Sequence, residues 1–287
     1  MFASRPHFTV PLAHGHRLEL GSRTLVMGVL NVTPDSFAGG VTDPDRAADL
    51  ALRMEADGAD IIDIGGESTR PGADPVSEAD ELARVIPVIE RLQGRLRVPA
   101  SIDTYKAAVA EAAVAAGASI VNDISGLGYD PKLGGVVARS GAGVVLMHTR
   151  GRSRDMYREA GYGDVLAEVS AELQQALERA EAAGVPRAQV VLDPGIGFAK
   201  RADQSRAVLV NLAVLAQLGQ PLLVGPSRKS FLVDGQAPLP PAGRDWGTAA
   251  AVTVSVLGGA HIVRVHNVAA MVQVVRVADA LRAAART

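Results

Sequence analysis

Apolar positions along the chain fall into short continuous runs. Each run breaks abruptly into polar residues, and a stretch of helical period follows. The first, Leu25-Val26-Met27-Gly28-Val29-Leu30, breaks into Asn31-Val32-Thr33-Pro34-Asp35-Ser36. An unbroken apolar run of this length reads as a strand covered on both faces, and the polar loop after it is where a parallel α/β fold presents chemistry. After Gly40 the period changes to that of a helix. Asp43 can cap it, Pro44 suits its first position, and Ala47, Leu50, Ala51 and Met54 share one face. The event then recurs. Ile61 to Ile64 ends in Gly65-Gly66-Glu67-Ser68-Thr69-Arg70, and a helix opened by Ser77 carries Leu82, Val85, Ile86 and Ile89. Residues 98–102 end at Asp103-Thr104, and residues 144–148 end at His148. Residues 190–192 lead into Asp193-Pro194-Gly195, and residues 222–224 into Gly225-Pro226-Ser227-Arg228-Lys229-Ser230.

One phrase joins several of these units. Gly58-Ala59-Asp60-Ile61-Ile62, Gly117-Ala118-Ser119-Ile120-Val121, Gly141-Ala142-Gly143-Val144-Val145 and Gly259-Ala260-His261-Ile262-Val263 share a pattern. A Gly that can end a helix in the left-handed conformation leads through a short turn into a β-branched strand. Strand ends then fall near Asn31, Asp63, Asp103, Asn122, Met147, Asp193, Gly225 and Val265. Eight alternating units in 287 residues predict an α/β fold, a (β/α)8 TIM barrel with its active site at the C-terminal strand ends. A doubly wound open sheet is the alternative, but no G-x-G-x-x-G follows the first strand. Residues 1–22 alternate weakly around His14-Gly15-His16 and read as an N-terminal β-hairpin. Residues 23–287 read as a single barrel domain. The last helix, near 268–283, is apolar on more than one face, which predicts a second partner and a homodimer.

Composition narrows the class. With 48% apolar residues a large core is available, and a net charge of -2 with scattered basic residues predicts no nucleic-acid partner. The chain has no cysteine, which excludes disulfides, thiol nucleophiles and thiolate metal sites. That composition fits a cytoplasmic enzyme. No membrane span is expected, because no window offers about 20 apolar residues, and no secretory leader is expected.

The expected rim gathers Asn31, Asp35, Thr69, Arg70, Asp103, Asn122, Met147, His148, Asp193, Phe198, Arg228, Lys229, Arg264 and His266. Asp103, Asn122, Asp193 and Lys229 form one chemical group, rich in acceptors with a single cation. Buried carboxylates need partners. A flat heterocycle with a guanidine-like edge would supply paired N–H donors to a carboxylate, as Arg does. The same residues could instead form a structural network closing the barrel mouth. Asn31, Thr69, Arg70, Arg264 and His266 form a second group, which suggests an anion such as phosphate or else solvated loop charges. Asn31 could add one oxygen ligand to Mg²⁺, an ion that takes few protein ligands beside phosphates and water. No P-loop occurs. His148 reads as packing beside Met147 rather than as a catalytic group, and His14 and His16 as turn residues.

These motifs, in order, resemble those of the dihydropteroate synthase family. They are Asn31-Val32-Thr33-Pro34-Asp35-Ser36-Phe37, Gly66-Glu67-Ser68-Thr69-Arg70-Pro71-Gly72, Ser101-Ile102-Asp103-Thr104, Asn122-Asp123-Ile124-Ser125-Gly126, Leu146-Met147-His148, Leu192-Asp193-Pro194-Gly195-Ile196-Gly197-Phe198, Ser227-Arg228-Lys229-Ser230 and Arg264-Val265-His266. The resemblance runs from about residue 8 to the C-terminus. It implies a transferase of folate biosynthesis and a target of sulfonamides. That enzyme condenses 6-hydroxymethyl-7,8-dihydropterin diphosphate with 4-aminobenzoate and releases pyrophosphate. It also implies that Asp103, Asn122, Asp193 and Lys229 hold the pterin with Met147 packed on it. Thr69, Arg264 and His266 receive the diphosphate with Asn31 and Mg²⁺. Arg70, Pro71, Phe198, Lys229 and Ser230 form the aminobenzoate side. Arg264, His266 and Lys229 are the expected catalytic residues.

Three positions depart from the family pattern. The first loop lacks the second aspartate of Ser-Phe-Ser-Asp-Gly-Gly, reading Ser36-Phe37-Ala38-Gly39-Gly40. Asn267 replaces the usual Asp after Arg-Val-His, and Ile196 replaces a usual Phe. The alternatives are a pterin-dependent methyltransferase and a non-catalytic pterin-binding paralogue. The anion residues of Ser-Arg-Lys-Ser and Arg-Val-His disfavour the methyltransferase.

Overall fold

The computed structural model describes residues 2–33, 41–70, 72–158, 160–233 and 239–285. The chain opens with an antiparallel hairpin, β1 (Phe8–Pro11) and β2 (Arg17–Leu20), with Phe8 opposite Leu20. In its turn His14 takes a left-handed φ of 60°, and its Nε2 lies 3.0 Å from the Val114 carbonyl and 3.2 Å from that of Ala118. That imidazole is therefore engaged with backbone, as a turn residue.

Strand and helix then alternate. The units are β3 (Leu25–Asn31) with α1 (Pro44–Ala56), β4 (Ile61–Gly65) with α2 (Glu78–Leu92), β5 (Ala100–Asp103) with α3 (Ala107–Ala115), and β6 (Ile120–Asp123) with α4 (Leu133–Ser140). They continue with β7 (Gly143–Met147) and α5 (Val165–Ala182), then β8 (Val190–Asp193) with α6 (Ala202–Val210) and α7 (Leu212–Leu215). The last are β9 (Leu223–Val224) with α8 (Asp245–Leu257), and β10 (Ile262–Val265) with α9 (Val268–Ala284). The strands pair in parallel in the order β8-β7-β6-β5-β4-β3-β10-β9, and a parallel bridge between Leu192 and Leu222 closes the ring. This is the expected (β/α)8 barrel.

Local chemistry explains the joints. Asp43 accepts from the Asp45 N–H at the start of α1, and Ser77 accepts from Asp80 N–H at the start of α2. Gly58, Gly117, Gly141 and Gly259 all have positive φ, at 101°, 120°, 67° and 95°, so each repeated phrase is a helix-ending turn. Gly184 makes the same joint at φ 87° before Val185 rather than Ala. The third barrel strand starts at Ala100, later than expected, because Glu55 Oε1 accepts the N–H groups of Arg97 and Val98 at 2.7 and 3.0 Å.

The core has two parts. One fills the space between sheet and helices. The other is the barrel floor, where Met27, Ile61, Ile120, Val145, Val191, Leu223 and Ile262 meet Val10, Leu12, Leu18 and Leu20 of the hairpin. The hairpin is thus a plug under the N-terminal end, and each fully buried side chain there adds about 1.5–3 kcal/mol. On α9, Met271, Val272 and Val275 are buried, while Val277 and Leu281 stand 61% and 53% exposed on the outer face. Among the described residues no helix is long and apolar enough to cross a membrane.

Candidate active site

Strand register builds the site. Asn31, Gly65, Asp103 and Asn122 are successive Cα partners across β3, β4, β5 and β6, and Met147 pairs with Asp193 across β7 and β8. Side chains alternate across a strand, so residues two apart point the same way. Ile61 lies in the floor cluster, so Asp63 points inward above it. By the same alternation Asn122 stands above Ile120, Met147 above Val145, Asp193 above Val191 and Arg264 above Ile262. An apolar floor thus gives way to a charged mouth within one inward-facing position.

Arg264 is the hub of that mouth. Its Nε donates to Asp63 Oδ2 at 2.6 Å and its Nη2 donates to Asp103 Oδ2 at 2.6 Å. Asn122 Nδ2 donates to the same Asp63 oxygen at 2.9 Å. Arg264, expected with the anion residues, therefore lies between two carboxylates of the acceptor group and joins the two sets. Asp63 is wholly buried and was not among the expected site residues, although a carboxylate inside an Ile-Ile-Asp-Ile strand was the signal for it. Asp63 Oδ1, Asp103 Oδ1 and Ser101 Oγ are buried with no hydrogen-bond partner. Such atoms are rare and costly, and here they are acceptors grouped at one mouth. Burial pushes the Asp103 carboxyl up to about 7 against the pull of Arg264. Burial also raises Asp193, opposed by Lys229, and its Oδ1 accepts from Gly195 N–H at 2.7 Å.

Above the mouth, loops bring in the remaining groups. Lys229 Nζ donates to the Ile196 carbonyl and lies 4.4 Å from the centroid of the Phe198 ring. Desolvation pulls the Lys229 ammonium down. Arg228 has a left-handed φ of 59°, and its guanidinium grips Asp245 at 2.8 and 3.1 Å. Asn267 Nδ2 donates to Asp245 Oδ2 at 2.9 Å, so the amide at this position supports the clamp on Arg228. Ser230 is exposed beside it. His266 Nδ1 lies 2.9 Å from Ser227 Oγ, a hydroxyl that also accepts the His266 backbone N–H at 3.2 Å. Burial and then Arg264, Arg228 and Lys229 hold the His266 imidazole down at about 3, so it is neutral at pH 7.

Thr69 and Arg70 are half-buried on the loop after β4, and Arg70 Nε donates to Ser68 Oγ at 3.0 Å. Glu67 secures this loop. It accepts from Tyr105 OH at 2.9 Å, from Val76 N–H at 3.2 Å and from Lys106 Nζ at 2.5 Å. Pro71 lies outside the described residues, and so do Asp35, Ala38 and Gly39 of the first loop. His148 follows the inward Met147 and so points outward from the barrel, where it bonds Glu172 and Lys200. The sequence predicts packing beside Met147; the structure instead turns it away from Met147 and gives it two hydrogen-bond partners. Ser227 and Lys200 were not expected from the sequence. Asn31, half-buried at the end of the register row, stands by strand alternation on the inward face above Met27 and Val29. Among the described residues no three His, Asp or Glu side chains converge to hold a metal.

The arrangement accepts hydrogen bonds from a flat polar ring at its centre and offers cations and neutral donors at its edge. The model of pterin-binding enzymes matches residues 27–266. A dihydropteroate synthase of Synechocystis is 48% identical over 278 residues, covering 96% of each chain. The crystal structure of a Yersinia pestis dihydropteroate synthase with a sulfonamide drug complex superposes with a TM-score of 0.90 at 42% identity, covering 97% of this chain and 100% of that one. A Burkholderia cenocepacia dihydropteroate synthase complexed with 7,8-dihydropteroate gives a TM-score of 0.87 at 42% identity, covering 100% and 99%.

Proposed function

The chain belongs to the pterin-binding enzyme family, among its dihydropteroate synthases, and from that premise we propose how its residues divide the work. The reaction joins 6-hydroxymethyl-7,8-dihydropterin diphosphate to 4-aminobenzoate and releases pyrophosphate, a transferase step of folate synthesis. Asp103, Asn122 and Asp193 take the N–H edge of the pterin, and Lys229 takes its carbonyl. Met147 packs on the ring. The observation that carries this reading is the pair of buried, unpartnered oxygens on Asp63 and Asp103, the two carboxylates that Arg264 bridges, which the N–H groups of a ligand would satisfy.

Thr69, Arg264 and His266 face the diphosphate. The site fits an ion that arrives with the diphosphate better than a resident one, because Asn31 supplies a side-chain oxygen and phosphates supply the rest. Mg²⁺ bound there would offset charge on the departing pyrophosphate. His266, neutral at pH 7, acts as a hydrogen-bond donor to that group. Arg264, anchored on two carboxylates, meets developing negative charge without reorganising. The carboxylates around the pterin stabilise positive charge on the ring as the methylene carbon loses its leaving group. The arylamine attacks as a neutral nucleophile and sheds its proton afterwards. Arg70, Pro71, Phe198 and Ser230 hold the aminobenzoate, with Lys229 between the two substrates. The exposed Val277 and Leu281 of α9 are the surface we assign to a homodimer, and the cysteine-free composition leads us to assign the protein to the cytoplasm.

The test is pyrophosphate release on mixing the purified protein with pterin diphosphate, 4-aminobenzoate and Mg²⁺. Release that depends on all three and matches pteroate formation is the expected result. Pterin binding without release would mean a non-catalytic paralogue. Methyl transfer to a pterin in place of condensation would mean the other barrel chemistry.

A further inference from the structure

Lys200 is 1% exposed, and among the described residues no carboxylate forms an ion pair with it, although Asp193 and Glu172 favour its charge from a distance. Its Nζ lies 2.7 Å from His148 Nδ1 and 3.2 Å from the carbonyls of Gly195 and Phe198, with the His148 carbonyl farther off at 3.5 Å. An ammonium has three N–H groups, and these acceptors use all of them. Burying a cation without a counter-ion is expensive, and an apolar side chain of similar length would fill the space at lower cost. Desolvation pulls the Lys200 amine down to about 7, against the pull of Asp193.

What the amine holds is the turn from Gly195 to Ala199. Three of its residues have positive φ, Gly195 at 65°, Gly197 at 78° and Ala199 at 45°. A Cβ on Gly195 would stand 1.9 Å from the His148 carbonyl, so the turn is pressed onto the backbone just after β7. Phe198 N–H closes the turn on the Gly195 carbonyl at 2.9 Å. From the opposite side Lys229 takes the Ile196 carbonyl. Two lysines therefore hold the carbonyls of Gly195, Ile196 and Phe198 in one turn, and Phe198 is the side chain that the turn presents to Lys229.

The brace continues outward. The Glu172 carboxylate only accepts, so the His148 ring proton sits on Nε2, 2.9 Å from Glu172 Oε2, and Nδ1 is left to accept from Lys200. Burial and Lys200 keep this imidazole at about 4, hence neutral. Arg150 Nε donates to Glu172 Oε1 at 3.0 Å, and the Arg150 guanidinium lies 4.0 Å from the Tyr162 ring centroid. The chain of contacts thus links the Phe198 turn to the long loop of residues 149–163.

We propose that Lys200, braced through His148 and Glu172, is a positioning residue that sets Phe198 against the aminobenzoate ring. This inference rests on the function proposed above for the aminobenzoate side. Lys200 touches neither substrate. It acts by fixing the carbonyls of Gly195 and Phe198, so its loss should loosen one substrate's shelf and leave the pterin's ligands Asp103, Asn122 and Met147, on other strands, in place.

The experiment compares Lys200→Met and Glu172→Leu with the parent protein in steady-state kinetics, pterin-diphosphate calorimetry and amide hydrogen exchange. Lys200→Met should raise KM for 4-aminobenzoate about 10-fold, the loss expected of one hydrogen bond to a charged group. Its kcat and its affinity for pterin diphosphate should stay within about 3-fold of the parent. Exchange should accelerate at residues 196–199 alone. Glu172→Leu, at the partly exposed end of the brace, should shift aminobenzoate KM the same way by about 3-fold. Unchanged aminobenzoate KM, or equal weakening of both substrates, would overturn the inference. If Lys200→Met does not fold, Glu172→Leu decides on the same criteria. If the parent releases no pyrophosphate, the functional reading fails by itself. Exchange at 196–199 then decides, and unchanged exchange in the variant removes the positioning role.

Discussion

The floor and the mouth of this barrel are made by the same strands and obey opposite rules. On β4, Ile61 closes the floor and Asp63, two residues on, stands in the mouth. On β10, Ile262 and Arg264 divide the same way. At the floor the inward layer is wholly apolar, sealed by four hairpin side chains. At the mouth the inward layer holds three carboxylates, of Asp63, Asp103 and Asp193, and a guanidinium, with acceptor atoms left unpaired. The floor contributes stability through burial. The mouth stores binding capacity as unsatisfied polarity, which lowers stability until a ligand arrives.

The largest expected effect tests the mouth. Asp193→Asn keeps an oxygen for the Gly195 N–H but removes the charge that burial already penalises. Pterin affinity should fall by about 100-fold or more, because a charged acceptor is replaced by one that also presents donors to donors. The melting temperature should hold or rise. Calorimetric titration and thermal melts on one preparation check both halves. A large loss of stability with affinity intact would erase the distinction between the two ends.

The matching change at the floor is Met27→Ala. Met27 is completely buried among Ile61, Ile262 and the hairpin. The cavity and lost transfer energy should cost about 2–5 kcal/mol in a urea melt. KM for both substrates should stay at the parent value. A floor substitution that altered substrate binding as much as stability would show the two layers to be coupled.

The floor and the joints were far more legible in the sequence than the mouth. Four Gly-Ala phrases marked four helix ends because a left-handed turn favours glycine whatever lies around it. Those rules are local. The contacts of the mouth are not: Asp63 and Arg264 are 201 residues apart and Asp103 and Arg264 are 161 apart. The strand ends were visible, so Asp103, Asn122 and Asp193 could be expected together. Which anion-type residue would turn inward was not visible, and Arg264 was grouped with the phosphate side instead. Lys200 gave no signal at all. In sequence it is one lysine after a glycine-rich turn, and only the fold buries it beneath His148.

The smallest effect is a pH dependence that belongs to the floor. His261 Nδ1 accepts from Leu222 N–H at 3.1 Å, and its Nε2 donates to the Pro6 carbonyl at 3.0 Å. Both nitrogens are committed to the neutral ring. Burial holds the imidazole down at about 4, against its ordinary value of 6.5. Between those two values the unfolded chain binds a proton that the folded protein refuses. Stability from this group is present above about pH 6.5 and is lost as pH falls toward 4, by about 3 kcal/mol in all. His261→Gln cannot take up that proton in either state, so its stability should fall less steeply across the same window. His148 and His266 are also held low and add to the slope in both proteins, so only the difference between them reports the floor. Urea melts at half-unit steps of pH measure it. Parallel slopes for parent and variant would mean that the His261 imidazole accepts a proton without unfolding, and that the plug beneath the barrel tolerates a charge.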